Sequence, residues 1–272
     1  MITTVVLAGG GIRGILQLGC LYYLYKNNYL SNTTTYCGTS IGSITCYALI
    51  LGYTPINILS YICCNKPIQG FEFNIFSLLT NFGLFNWELI EVHLRKLTLD
   101  KLDHIPTLKQ LYEKYKKKLI CVTYNQSKQK IEYISKDTHP ELSCLIALRM
   151  SCNLPLLFHE FIYNNNIYID GGIADNFAIG YIDSITPPEE YIIGIDLNNE
   201  VSRDPTNIIE YIQCITNIPL QIIKKLRKIN SKRVKIIILK SLDISIFDYD
   251  ITIIKSISLF SEGYCQTKKI FD

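Results

Sequence analysis

Two strand–turn–helix units, each turning on glycine, follow one another within residues 1–51, and this repetition most limits the folds open to the chain. Residues 5–8 form a short unbroken apolar run closed by Gly9, and residues 12–26 then carry apolar side chains around most of a helix. Residues 33–37 are β-branched and aromatic, residues 38–42 are a tight run of small residues, and residues 44–51 resume an apolar helical run. Strands that alternate with helices predict an α/β fold in which helices cover both faces of a sheet. Downstream, the pattern predicts amphipathic helices at 86–99 and 107–118, strands at 119–124 and 130–135, and a helix at 141–152. A hairpin of 161–163 and 167–169 follows, turning on Asn164, Asn165 and Asn166, and its second strand ends at Asp170. A strand at 191–196, a helical stretch at 207–229, a strand at 234–239 and a less regular tail complete the expectation.

With 272 residues and no linker-like stretch, the chain reads as a single domain, its core at about 5–178 and an α/β extension at 179–272. Hydrophobic residues at 48% against charged residues at 19% exclude a disordered chain. A net charge of +3 argues against nucleic acid as a partner, since phosphate contacts demand a strongly basic face. No acidic residue precedes Glu72, however, and basic residues crowd 224–235, so a membrane surface stays open as a partner. The ten cysteines lack zinc spacing and sit largely in apolar runs, as reduced core thiols do. No basic region precedes the first apolar run, so the N-terminus reads as a strand rather than a signal peptide. Residues 27–65 carry no charge, yet Gly52-Tyr53-Thr54-Pro55 cuts them into pieces shorter than the roughly 20 residues a membrane-spanning helix needs. The expectation is a cytoplasmic protein with peripheral contact at membranes.

Three glycine-centred motifs carry the chemistry. Gly9-Gly10-Gly11-Ile12-Arg13-Gly14 lies between a strand and a helix, where backbone amides and the helix N-terminus face negative charge, either a pyrophosphate or a transient oxyanion. A dinucleotide site would want an acid about 20 residues further on to hold the ribose, and none occurs before Glu72. Gly38-Thr39-Ser40-Ile41-Gly42 is a G-x-S-x-G turn between strand and helix, which lifts a serine Oγ to the top of a sheet; the plain alternative is a serine capping the next helix. Asp170-Gly171-Gly172 places a carboxylate at a strand end, where an aspartate is often just a turn residue. A serine nucleophile needs a base, and histidine is the usual one. No histidine follows Asp170; His93, His104 and His139 sit in polar contexts, and His159 stays as a candidate general base or supporting group.

In order and spacing, the G-G-G-x-R-G loop, the G-T-S-x-G turn about 25 residues later and the D-G-G in the second half resemble the patatin-like phospholipase family. Residues 149–158, which contain Ser151, Pro155 and Phe158, are similar to the Ala-Ser-x-x-x-Pro-x-x-Phe segment that precedes D-G-G in that family. The resemblance covers about residues 5–178. It implies a three-layer α/β/α sandwich with a mostly parallel central sheet, and a catalytic dyad of Ser40 as nucleophile and Asp170 as its base. It also implies an oxyanion hole from the loop holding Gly9, Gly10, Gly11, Arg13 and Gly14, a nucleophile turn framed by Gly38 and Gly42, and an acid loop carrying Gly171 and Gly172. Two positions depart from the family pattern: Ala8 stands where many relatives have Asp, and Asp175-Asn176-Phe177 replaces the commoner Asn-Asn-Pro. An aspartate base requires a desolvated pocket, because its ordinary pKa near 3.9 makes it a weak base.

The implied activity is phospholipase A-type hydrolysis of acyl lipids. Alternatives are a carboxylesterase or thioesterase on soluble esters, or an idle lipid-binding relative. Leu220, Ile223, Leu226 and Ile229 alternate near helical spacing with Lys224, Lys225, Arg227 and Lys228, which suits either a basic helix at anionic lipid or a solvated face over core. The aromatic stretch 71–87 reads as a lid, an acyl-chain wall or core. No calcium-loop pattern or carboxylate cluster occurs, so neither a metal nor another cofactor is expected.

Overall fold

The structure is a computed structural model that describes residues 1–67, 75–198, 211, 218, 222, 231–240 and 251–272. The expected helix at 207–229 and its basic stripe, including Lys224, Lys225, Arg227 and Lys228, lie outside the described residues. So does most of the first part of the 71–87 stretch.

The opening strand β1 (Ile2–Leu7) alternates between two cores. Val5 and Leu7 face the larger one, with α1 (Gly14–Lys26) and α2 (Ile41–Ile50); Val6 and Ala8 face a smaller one, closed by Phe177 and by Ile179 and Ile182 of α8 (Ile179–Ile185). Both faces of the strand are buried, which explains its unbroken apolar sequence. The result is the expected three-layer arrangement. Strand β1 pairs in parallel with β2 (Thr35–Thr39) on one side and β9 (Tyr191–Leu197) on the other. Beyond them β10 (Val234–Leu239) pairs in parallel with β9, and β4 (Lys118–Asn125) with β2.

Strand β4 is where the sheet changes character. Its whole length from Ile120 to Asn125 pairs antiparallel with β5 (Lys130–Ser135) on one flank. On the other flank β2 pairs only as far as Val122, opposite Thr39, and β8 (Asn166–Asp170) takes over antiparallel at Thr123, opposite Asp170. Strands β2 and β8 therefore run toward each other along one edge of β4, and their ends meet. Strand β7 (Phe161–Tyr163) completes the hairpin with β8.

Other elements depart from the sequence reading for local reasons. The helix expected over 107–118 is α6 (Leu108–Tyr115); Lys116 takes a left-handed φ of 53° and ends it, which frees Lys118 to start β4. Residues 55–65 form α3 (Pro55–Asn65), opened by a Thr54–Asn57 capping box with proline in the first turn. A separate pair of three-residue strands, β3 (Gly83–Phe85) and β6 (Leu156–Phe158), follows α4 (Ile75–Asn81) and α7 (Cys144–Cys152) respectively, and α5 (Glu88–Leu99) succeeds β3. The tail is a 19-residue helix, α9 (Ile253–Phe271), capped by Thr252. It crosses α1 at direct backbone contact: a Cβ on Gly19 would stand 1.9 Å from Phe260 O, and one on Gly263 2.0 Å from Leu16 O. No single helix among the described residues is long and apolar enough to cross a membrane; α2 and α3 pass only as a pair bent by 119°.

Candidate functional site

Ser40 stands at the tip of β2 with φ 54° and ψ −128°, a left-handed conformation that costs a non-glycine residue on the order of 1–3 kcal/mol and persists only where the surroundings impose it. They do so through backbone. A Cβ on Gly38 would lie 2.3 Å from both Gly42 C and Ser43 N, so the turn closes this tightly only with glycine. The Ser40 amide donates to Ser151 Oγ at 3.1 Å, and Ser151 donates in turn to Val122 O at 2.7 Å. The Ser40 carbonyl accepts from Ser43 N at 2.8 Å and from Ser43 Oγ at 2.6 Å. Both flanking serines thus spend their polar groups on holding the turn. Ser40 itself is the N-cap of α2, so its Oγ lies at the positive end of that helix.

The head-on meeting of β2 and β8 places Asp170 beside it. Asp170 is 1% exposed, its carboxylate accepts a hydrogen bond from Gly172 N at 2.6 Å, and the Ser40 side chain stands close enough to favour its ionised form. Burial pushes its pKa up to about 6, and Ser40 and the Gly172 amide only partly oppose the shift. The Asp170 backbone is tied down by Asn153: its amide donates to Asn153 O at 2.9 Å, and Asn153 Nδ2 donates to Tyr168 O at 2.9 Å. Gly171 packs its Cα on the β4 backbone, where a Cβ would stand 2.4 Å from Val122 O. The loop that follows reaches back to both other motifs. Thr39 Oγ1 donates to Asp175 O at 3.2 Å, Tyr133 Oη donates to Asp175 Oδ2 at 2.9 Å, and Asn176 Nδ2 donates to Gly9 O at 3.1 Å.

The glycine loop follows β1 directly, next to Ser40: a Cβ on Gly9 would lie 3.1 Å from Ser40 Cβ. Its base is fixed from behind by buried Gln17, whose Nε2 donates to Ala8 O at 2.9 Å and Ile195 O at 3.3 Å. The five amides expected to act together are not equivalent. Gly9 N–H donates to Asn176 O at 3.1 Å, Arg13 N–H closes the turn onto Gly10 O at 3.1 Å, and Gly14 N–H donates to Gly11 O and Ile12 O. These three are spent on forming the turn and the start of α1. Among the described hydrogen bonds, Gly10 and Gly11 donate to no protein acceptor. The Arg13 side chain is buried.

His159 lies elsewhere. Its Nε2 hydrogen-bonds Ser77 Oγ on α4 at 2.7 Å, and its carbonyl accepts from Arg149 Nη2 at 2.8 Å. Arg149 sits between the rings of Trp87, Phe158 and Phe161, its Cζ 4.9 Å, 5.7 Å and 5.3 Å from their centres, and burial lowers its pKa to about 10, which leaves it charged at neutral pH. These contacts tie the β3–β6 unit to α7; described contacts of His159 include neither Ser40 nor Asp170. Sequence reasoning did not single out Asn176, Ser151 or Cys152 as site residues. Cys152 Sγ lies 3.6 Å from Ser43 Oγ, and burial pushes its pKa well up, so it is a neutral thiol beside the Ser40 turn. Ser151 and Cys152 lay in the segment similar to Ala-Ser-x-x-x-Pro-x-x-Phe and Asn176 in the run after D-G-G, but neither stretch marked them as site residues.

The chain is 37% identical over 183 residues to the probable lipid hydrolase 463L of Invertebrate iridescent virus 6, which covers 65% of this chain and 61% of that protein. It is 29% identical over 208 residues to the uncharacterized protein R571 of Acanthamoeba polyphaga mimivirus, covering 75% of this chain and 68% of that one. The chain thus spans about three fifths of the length of the first viral relative. In fold it is similar to VipD from Legionella pneumophila, with a TM-score of 0.60 at 19% identity over 100% of this chain and 67% of VipD. It is also similar to a chain of the ExoU–SpcU complex of Pseudomonas aeruginosa, with a TM-score of 0.53 at 13% identity over 99% of this chain and 51% of that one. The profile of the patatin-like phospholipase family matches residues 5–183, a span that contains the glycine loop, the Ser40 turn and the Asp170 loop, and the chain belongs to that family.

Proposed function

We propose that this protein is a lipid acyl hydrolase of phospholipase A type that works through a Ser40–Asp170 dyad. The observation that carries the reading is a buried carboxyl, raised to about 6, beside a serine on a left-handed turn at a helix N-terminus. Ser40 Oγ attacks the ester carbonyl carbon while Asp170 takes its proton, and the carbonyl electrons move onto oxygen. The N–H groups of Gly10 and Gly11 receive that oxyanion. Collapse expels the alcohol, which takes the proton back from Asp170, and a water activated by Asp170 then releases the fatty acid from Ser40. A carboxyl raised to about 6 is ionised at neutral pH yet more basic than an ordinary aspartate, as a general base must be. Preorganised amides typically supply 10²- to 10³-fold of rate per donor.

The chain is read as one domain, and the basic stripe around Lys224, Lys225, Arg227 and Lys228 as its contact with an anionic membrane surface. The sequence similarity to a probable lipid hydrolase supports a lipid substrate. The test is fatty-acid release from mixed phospholipid vesicles in EDTA by wild type, Ser40→Ala and Asp170→Asn. Release that both substitutions abolish, and that in wild type rises as pH passes about 6, supports the dyad. Unchanged release in Asp170→Asn overturns it, and a wild type silent on vesicles but active on soluble esters moves the substrate to that class.

A further inference from the structure

Within that acyl-hydrolase reading, on which it rests, we infer that Asn176 is a positioning residue that aims the Gly10 N–H at the oxyanion by holding the Gly9–Gly10 peptide plane. Asn176 grips Gly9 at two points. Its carbonyl accepts the Gly9 N–H at 3.1 Å, and its side-chain Nδ2 donates to Gly9 O at 3.1 Å. The carboxamide is wedged between two of the three motifs: a Cβ on Gly9 would meet Asn176 Oδ1 at 2.5 Å, and a Cβ on Gly172 would meet it at 3.0 Å. The carboxamide therefore packs directly against both glycines.

The consequence for Gly10 follows from peptide geometry. A trans peptide is planar, so the direction of the Gly9 C=O fixes that of the Gly10 N–H on the opposite side of the same bond. Glycine on both sides of this bond makes its rotation cheap, and nothing in Gly9 or Gly10 themselves selects one orientation. The hydrogen bond from Asn176 Nδ2 does. Asn176, the middle residue of the run that stands for Asn-Asn-Pro, thus connects the acid loop to the donor that stabilises charge, without touching substrate.

The experiment compares purified full chains of wild type, Asn176→Ala and Asn176→Asp on a p-nitrophenyl acyl ester and on its thionoester, in which C=S replaces C=O and accepts hydrogen bonds poorly. Positioning of an oxyanion donor predicts that both variants lose about 10- to 100-fold in kcat on the ester with KM within about 2-fold, and much less on the thionoester, so that the ester-to-thionoester ratio falls. Asn176→Asp keeps size and packing but lacks the donor, so it separates this effect from a cavity. Equal losses on the two substrates, or an unchanged ester kcat, overturn the inference. Ser40→Ala distinguishes its failure from that of the underlying reading: a dead Ser40→Ala with an unchanged ratio in the Asn176 variants removes only the role of Asn176, whereas a Ser40→Ala as active as wild type removes both.

Discussion

The turn that carries Ser40 and the loop that carries Gly10 follow neighbouring strands and look alike in sequence, but they are held in place by different means. At the Ser40 turn backbone meets backbone: Gly38 against Gly42 and Ser43, and Gly42 against β1, where a Cβ would stand 2.6 Å from Leu7 O. At the glycine loop backbone meets side chains: Gly10 against Leu197, Gly14 against Ile41, Gly9 against Asn176. Backbone in a paired sheet has nowhere to go, while a side chain can change rotamer. The first turn is therefore a fixed part of the fold, and the second is a surface that substitution can tune.

Substitutions test this contrast in decreasing order of effect. Gly38→Ala is expected to cost about 4 kcal/mol or more and to abolish the cooperative thermal transition, because its Cβ would overlap main-chain atoms. A folded, active Gly38→Ala would break the contrast outright. Asp170→Asn should leave the turn intact and move stability the other way. The Asp170 pKa is raised in the folded state, so its contribution to stability is fully present below about 4 and is lost as pH rises through about 6. Above pH 6 the variant, which carries no charge to bury, should therefore exceed wild type by about 3 kcal/mol in denaturant titrations, a gap that closes toward pH 4. A variant destabilised at pH 8 would show that Asp170 holds the fold through its charge. Gly10→Ala should cost about 1–2 kcal/mol, because the clash is with Leu197 Cδ1 at 2.3 Å; Leu197→Ala in the same chain should recover about 1 kcal/mol of it in a double-mutant cycle. Absence of that coupling would place the restraint on Gly10 elsewhere. Ser151→Ala, which leaves the Ser40 amide without its acceptor, should cost about 1 kcal/mol and slow the reaction a few-fold with KM unchanged.

The same contrast explains what could be read from the sequence. Both βα units were legible because their strands are apolar or β-branched and aromatic, their helices are mostly apolar and their turns are rich in glycine, and the hairpin ending at Asp170 was legible from its three asparagines. Ser40 and Asp170 could be singled out as candidates because a turn this tight admits few residue types. Which loop amides stay free could not be read, because the partner that takes up the Gly9 amide lies far along the chain and leaves no local spacing. The β3–β6 pair was missed for another reason: its strands are three residues long, and Phe82 and Leu156 enter them with φ of 55° and 67°, so no period of two develops. Helix α9 was obscured by Gly263, which reads as a breaker in sequence but is the point where the helix touches α1.

The grip of Asn176 on Gly9 also sets an order of events during synthesis. Asn176 is made 136 residues after Ser40, so a ribosome adding about 5–20 residues per second puts roughly 7–27 s between the two. For nearly all of that interval the nascent chain holds Ser40 without Asp170. In the proposed mechanism the base and the residue that aims the Gly10 amide are then made within six residues of each other, so a product arrested before Asp170 carries Ser40 without the means to use it.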